Sequence, residues 1–346
     1  MTDDVRPVRL GAAGGVVPSA PPSVPDALHE VRGWPADLRP GAGQTAHLWE
    51  VLASLAVADL AVARAVEPHL DALAVLDQAG STVSRAGTWG VYAAEGPGTP
   101  LAAHERDGGW VLDGVKPWCS LAGVLDAALV TARADDGRRA LLAVDLHAEE
   151  VTPAEGTWAA RGLVEIPSTP VRFADARAAY VAGADWYLDR PGFWWGAIGV
   201  AACWFGGAVG IARRVHAEVA RRPDDRLLAM HLGAIDERLS AARVCLVDAA
   251  ARVDASGAAT GGGTAPEDED ARAAGRVLAK RVRATVARTC EDTLRIAGHA
   301  LGPGPLTQEE AHAKRVADLE VYVRQQHAER DDASLGAAIA RGAAPW

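Results

Sequence analysis

Apolar positions recur in two rhythms along this 346-residue chain, and the switch between them divides it into three parts. From Gln44 to Asp77, Leu48, Val51, Leu52, Leu55, Val62, Val66, Leu70 and Leu73 fall at helical spacing, and Pro68 predicts a break between two helices. After "QAGST" the segments "GTWGVYAA", "GWVLDGV", "AALVTAR", "RALLAVDL" and "STPVRFADA" are short and often alternating, parted by "EGPGTP", "DGG" and "ADDGRR". Beyond "LDRPGF" the helical rhythm returns at about 193–221, 225–255, 268–299 and 307–328, each with a broad apolar stripe. Four such helices predict a bundle.

The pattern predicts a mostly α-helical chain with a small central antiparallel β domain: helices with a flexible lead-in at 1–85, the β domain at 86–185 and the bundle at 186–346. Residues 1 to about 40 are rich in Pro and Gly without a sustained period, so at most one short helix is expected there. "DASGAATGGGTAPEDED", between the second and third bundle helices, is too polar and Gly-rich to bury much and predicts a solvated loop. No internal repeat is apparent.

Composition narrows the function classes. The chain is 49% apolar with a formal charge of −10 and lacks the basic excess that a phosphate backbone attracts, so nucleic acid is not an expected partner. The N-terminus lacks a charged-then-apolar signal pattern, and the longest apolar stretch, Trp194 to Gly210, is Gly-rich and short for a membrane span, which predicts a cytoplasmic protein. Cys119, Cys203, Cys245 and Cys290 are widely spaced without a CxxC, so buried free thiols are expected rather than disulfides or a metal site.

The most informative stretch is "LDGVKPWCSLAG", Leu112 to Gly123, where a strand-like segment places an indole and a hydroxyl two residues apart just before a turn. Residues two apart in an extended segment point the same way, so Trp118 and Ser120 can address one ligand together. A flat, electron-poor ring such as a flavin needs such a face and a donor at its edge. A lone Trp also serves simply to fill a core.

"GWVLDGVKPWCSLAGVLDAALVTAR" resembles the middle-domain segment of the acyl-CoA dehydrogenase family, where a Lys-x-Trp-x-Thr/Ser run follows "x-LxGxK". The order helices, β domain, helices matches too, and the resemblance runs from about Gln44 to Gly336. It implies FAD as cofactor, with Trp118 stacking beside the ring and Ser120 hydrogen-bonding its reactive edge. "VYAAEGPGTP" resembles the family's Thr-Glu-Pro-Gly-x-Gly-Ser loop, with Ala94 in the Thr place, Glu95 retained and Thr99 near the Ser. "RRPDDRLLAMH" is similar to an Arg-x-x-Phe-Gly segment that reaches the neighbouring subunit's FAD, with Arg221 as the Arg and Asp224 and Asp225 replacing Phe and Gly. "LRIAGHALG" is similar to a Gln-x-x-Gly-Gly segment on the adenylate, with Arg295 in the Gln place, Gly298 kept and His299 replacing the second Gly. The resemblance also implies a homodimer or homotetramer, since the family completes its FAD site across subunits.

Dehydrogenation of an acyl thioester needs a base opposite the flavin. The resemblance puts Gln326, which cannot abstract a proton, in the place of the family's usual Glu, and the first bundle helix, where other members carry the base, has no Asp or Glu from Pro191 to Ala217. Nearby His327, Glu329 and Asp331 remain, and Glu329, three residues on, is the candidate for a relocated base.

Three functions are therefore open. The first is an FAD-dependent oxidoreductase acting on an acyl-CoA or similar small molecule. The second is a flavin monooxygenase on the same fold, which needs no carboxylate base and in which His327 or Ser120 assists by hydrogen bonding. The third is a non-catalytic partner subunit. Phe193, Trp194, Trp195, Trp204 and Phe205 read as core before they read as an acyl pocket, and no electron acceptor is legible.

Overall fold

The computed structural model describes residues 6–11, 17–96, 98, 100–183, 185–256 and 269–342. Three helices lead, α1 (Val24–Val31), α2 (Thr45–Ala58) and α3 (Leu60–Gln78). Seven strands follow: β1 (Trp89–Tyr92), β2 (Ala102–Arg106), β3 (Gly109–Ser120), β4 (Ala127–Ala134), β5 (Arg139–Asp145), β6 (Val151–Pro153) and β7 (Ser168–Ala182). The helical part holds α4 (Trp186–Asp189), α5 (Pro191–Arg221), α6 (Arg226–Ala255), α7 (Glu269–Leu301), α8 (Gly304–Gln308), α9 (Glu310–Tyr322) and α10 (Glu329–Ala340).

Strand pairings run in a closed ring, β4 to β2, β3, β7, β5 and back to β4, with β1 beside β4 and β6 beside β7. The sheet is mixed where an antiparallel one is expected, because β1 and the start of β2 run parallel to β4. Strand β4 does not alternate either: Ala128 through Ala132 are all buried, since one face fills the ring and the other meets α3. Leu129 of β4 belongs with Leu73 and Leu76 of α3 to a small second core, separate from the main one.

That packing buries α3 almost all round, and its departures from the sequence pattern follow from it. The break between the two leading helices lies at Asp59, not at Pro68. Asp59 is extended (φ −151°, ψ 122°), its carboxylate accepts from Ala61 N at 2.7 Å, and Lys314 Nζ donates to it at 3.0 Å. Pro68 lies inside α3, where it withholds one hydrogen bond from the Arg64 carbonyl, but burial on both sides holds the helix together.

The lead-in is anchored in part. Val8 and Leu10 are buried, Val8 N donates to Ser54 Oγ at 2.8 Å, and Leu10 N donates to the fully buried Glu50 at 2.6 Å. Two apolar residues with satisfied amides are enough to fix a segment that has no period of its own. The Gly-rich acidic stretch lies largely outside the described residues, from 257 to 268.

In the bundle, α5 packs against α2, α6 and α7. By length and composition α5 is apolar enough to cross a membrane, which the short Trp194–Gly210 stretch did not suggest, but 78% of its most apolar window is buried in this fold. Trp195, Trp204 and Phe205 are core residues there, and the Arg283 guanidinium lies 4.6 Å from the Trp204 ring centroid. The helix expected at 307–328 is divided. α9 ends at Tyr322 in a 3-10 turn over Val323–Gln325, Ala328 takes a left-handed φ of 44°, and Asp331 Oδ2 accepts from His327 N at 2.9 Å at the start of α10.

Candidate functional site

The Lys-Pro-Trp-Cys-Ser segment is not a regular strand. Pairing of β3 with β7 slips between Lys116 and Cys119, and Trp118 sits in that bulge with a left-handed φ of 60°. Leu121 repeats the conformation just after the strand, also at 60°. Such backbone costs a residue with a bulky side chain on the order of 1–2 kcal/mol and gathers at functional sites. The bulge swings the indole out of the core, where it is 57% exposed. Filling of the core is therefore not its role. Lys116 and Cys119 point inward instead: the Lys116 ammonium donates to the Thr131 carbonyl at 2.7 Å and hydroxyl at 3.0 Å, and burial pulls its pKa down to about 8.

Two cavities meet at Trp118. One, about 760 Å³, lies against the β domain and is lined by Ala94–Gly96, Lys116, Arg133, Arg139 and Thr157, among others. The other, about 780 Å³, lies between β domain and helices and is lined by Arg64, Glu67, Ser120, Trp158, Tyr322 and His327, among others. Trp118, Ala94, Glu95 and Ser168 line both. Trp118 and Ser120 thus share a cavity, although the bulge and not strand alternation puts them there.

Ser120 Oγ accepts from Arg64 at 3.0 Å and lies 2.7 Å from Ser168 Oγ, which is 3.1 Å from the Ile166 carbonyl. Each hydroxyl has one proton, so the consistent order is Arg64 to Ser120, Ser120 to Ser168 and Ser168 to Ile166. Ser120 therefore spends its proton inside the protein, and Arg64 is a donor that the sequence reading missed. Glu95 pairs with Arg139 at 2.8 Å and Arg133 at 3.5 Å, so its carboxylate braces the loop. Thr99 lies outside the described residues.

The expected base is not in place. Glu329 is exposed on the first turn of α10 and is not part of the cavity wall, because the chain turns at Ala328 before reaching it. Gln326 is buried, with no hydrogen-bond partner for its Oε1 among the described residues, and does not line the cavity. His327 does, at its rim, with its ring 3.6 Å from Asp331. Of the aromatic cluster on α5, none lines this cavity, whose α5 contribution is Val200.

A carboxyl on another element fills the gap. Arg64, Glu67, Pro68 and Asp71 recur at i, i+3, i+4 and i+7 on α3 and all line the helix-side cavity. Asp71 accepts from Arg190 Nη2 at 3.2 and 3.3 Å, and Arg190 also donates to Gln78 at 2.9 Å. Glu67 is 9% exposed, and burial, reinforced by the nearby Asp71 and opposed by Arg64 and Arg283, pushes its pKa up to about 8. The signal was in the sequence as a polar stripe through an apolar helix.

Arg221, Arg295 and Gly298 lie away from both cavities of this chain. Arg221, at the end of α5, pairs with Glu218 at 3.2 Å. Arg295 pairs with Asp292 at 3.0 Å on the solvent-facing side of α7, where Gly298 is exposed as well. Asp225 is the N-cap of α6, accepting from Leu228 N at 3.0 Å, which accounts for the second of the two acidic residues at this place.

This architecture has solved counterparts. It is similar to TdsC from Paenibacillus sp. A11-2, a dibenzothiophene monooxygenase, in complex with FMN and indole (TM-score 0.73, 16% identity, 86% of this chain and 82% of that chain covered). It is similar to KijD3 in complex with FMN and dTDP-3-amino-2,3,6-trideoxy-4-keto-3-methyl-D-glucose (TM-score 0.74, 19% identity, 93% and 95% covered). It is also similar to XiaF from Streptomyces sp. in complex with FADH2 and glycerol (TM-score 0.71, 15% identity, 93% and 88% covered). No family model matches the sequence, and no curated protein matches it. The fold is acyl-CoA dehydrogenase-like: helices, a central β domain and a helical bundle.

Proposed function

We propose that the protein is a flavin-dependent oxygenase of a small organic molecule. The observation that carries this reading is the exposed, left-handed Trp118 between two cavities, in a cleft whose bundle side offers no carboxylate where the dehydrogenase resemblance places one. The flavin complexes of TdsC, KijD3 and XiaF support it.

The residues present fit an isoalloxazine ring. Trp118 offers an indole face, Val91, Ala93 and Ile166 give apolar wall, and Arg64 and the Ala94–Gly96 backbone supply polar groups at the edge. The buried Tyr322 hydroxyl, in the wall of the helix-side cavity, meets only the Cys203 thiol, a weak partner, among the described residues and suits a ligand atom. When bound, the flavin supplies a ring that carries two electrons and reacts with dioxygen. The chain's part is to hold that ring by Trp118, to present Arg64, anchored on Ser120, at its edge, and to keep water out with the loop carrying Trp158 and Leu163.

FAD is the cofactor that the resemblance implies. Within one chain Arg221 and Arg295 are ion-paired away from the cleft, so we expect FMN to bind no more weakly than FAD. A homodimer or homotetramer, in which a neighbouring copy brings these arginines to the cleft, would reverse that order, and sedimentation beside the two titrations separates the cases.

The deciding test mixes purified protein with FMN or FAD, then with a flavin reductase, NADH, dioxygen and a panel that includes indole. Incorporation of one labelled oxygen atom from dioxygen into a panel compound is the expected result. Anaerobic bleaching of the oxidised flavin by acyl-CoAs would instead establish a dehydrogenase, and failure to bind either flavin would overturn both readings.

A further inference from the structure

The polar stripe on α3 contains one group whose chemistry is unused. Arg64 donates to Ser120, and Asp71 is held by Arg190. Glu67, between them and nine-tenths buried, makes no hydrogen bond or ion pair among the described residues, yet it lines the cavity. A buried carboxyl left without a partner inside the protein is costly unless it carries a proton or meets a ligand.

Its surroundings favour the proton-bearing form. Asp71 stands one turn away on the same helix. Tyr187 of α4, Cys203 of α5 and Tyr322 of α9 face it as neutral groups, each with its pKa pushed up chiefly by burial. The positive charges facing it are Arg64 on α3 and Arg283 on α7, and neither makes an ion pair with it.

Resting on the oxygenase reading, we infer that Glu67 is the proton donor to the substrate in this cleft, acting on a neutral substrate that presents an oxygen or nitrogen lone pair toward α3. The carboxyl O–H bond breaks with its electron pair left on Glu67, and the new bond to hydrogen uses the substrate's lone pair. Arg64, one turn away, stabilises the carboxylate so formed, and solvent entering by the cleft mouth returns the proton. A carboxylate-bearing substrate is disfavoured beside Asp71 and the newly formed anion.

The test compares wild type with Glu67→Gln, which keeps the shape and an N–H donor but has no acidic proton. An absorbance titration with FMN comes first: a wild type that binds no flavin overturns the reading beneath this inference, and is recognised before Glu67 is probed. Infrared spectra of the flavin-free protein should then show a protonated-carboxyl C=O band that disappears with a midpoint near pH 8 and is missing from the variant. In reductase-coupled turnover, kcat/KM of the wild type should fall above that pH. The variant should bind FMN normally, lose on the order of 10²-fold in kcat/KM and show no such limb. No Glu67 band at pH 7, or a variant with wild-type turnover and pH profile, would overturn the assignment.

Discussion

The guanidinium of Arg64 on α3 donates to the hydroxyl of Ser120 on β3 at 3.0 Å, tying the leading helices to the bulged strand that carries Trp118. Both ends of this bond line the helix-side cavity, so the contact sets the cleft width and fills the lone pair that a ligand would otherwise meet. Ser120 gives its own proton to Ser168. Replacing Ser168 by Ala frees that proton for a ligand, and we expect flavin affinity to be kept or raised. Ser120→Ala should weaken it and cost about 1 kcal/mol in stability, because Arg64 loses its acceptor. Fluorescence titration and urea unfolding of the two variants check the opposite signs; a weaker-binding Ser168→Ala would refute this hydrogen-bond order.

Trp118 separates stability from binding. With φ at 60° its backbone suits glycine, and the exposed indole adds little to the core. Trp118→Gly should therefore unfold no earlier than wild type in calorimetry while losing roughly tenfold in flavin affinity, the scale of one aromatic stacking contact. A lowered melting temperature with unchanged affinity would show the indole to be structural.

Two buried groups give stability opposite pH dependences. His69 accepts from Trp89 N at 3.2 Å, and burial lowers its pKa to about 4 from 6.5. Between these values the unfolded chain binds more protons, so the stability present above pH 6.5 is lost as pH falls toward 4, by on the order of 3 kcal/mol. For Glu67, raised from 4.5 to about 8, the folded state binds more protons, so its share is present below pH 4.5 and is lost as pH rises toward 8. Urea unfolding from pH 4 to 8 should show a maximum in between. His69→Asn, which keeps an acceptor for Trp89, should flatten the acid side, and Glu67→Gln the alkaline side.

How much was legible beforehand follows from which interactions are periodic. The order of helices, strands and helices was readable because apolar spacing of about 3.6 or 2 records burial of a face, and Trp118 stood out because an unusual residue pair marked the turn, although the bulge that exposes it left no periodic trace. Pro68 misled, since its local cost is overridden by burial of α3 on both sides. Glu329 misled because a run of helical spacing does not reveal the turn at Ala328. Glu67 is not marked by the resemblance, which puts the base on the bundle helices, whereas Arg64, Glu67 and Asp71 form their own helical stripe inside an apolar one on α3.

The loop that closes the helix-side cavity depends on Gly162. Its α-carbon faces the Ala317 carbonyl of α9 so closely that an added methyl carbon would stand 1.9 Å from that oxygen, and backbone cannot yield as a side-chain tip can. Next to it Leu163 N donates to Asp318 at 2.6 Å, while Lys314 reaches Asp318 at 2.7 Å and Glu165 at 3.4 Å. Gly162→Ala must therefore push Trp158, Leu163 and Ile166 off α9 and widen the cleft they line. We expect a loss of about 1–3 kcal/mol in unfolding free energy together with weaker flavin binding. Gly336→Ala on α10, where nothing stands within 4 Å of the added carbon, serves as the control and should be stabilised by about 0.5–1 kcal/mol without changing binding. If both variants behaved alike, the loop would have to dock on α9 by another contact.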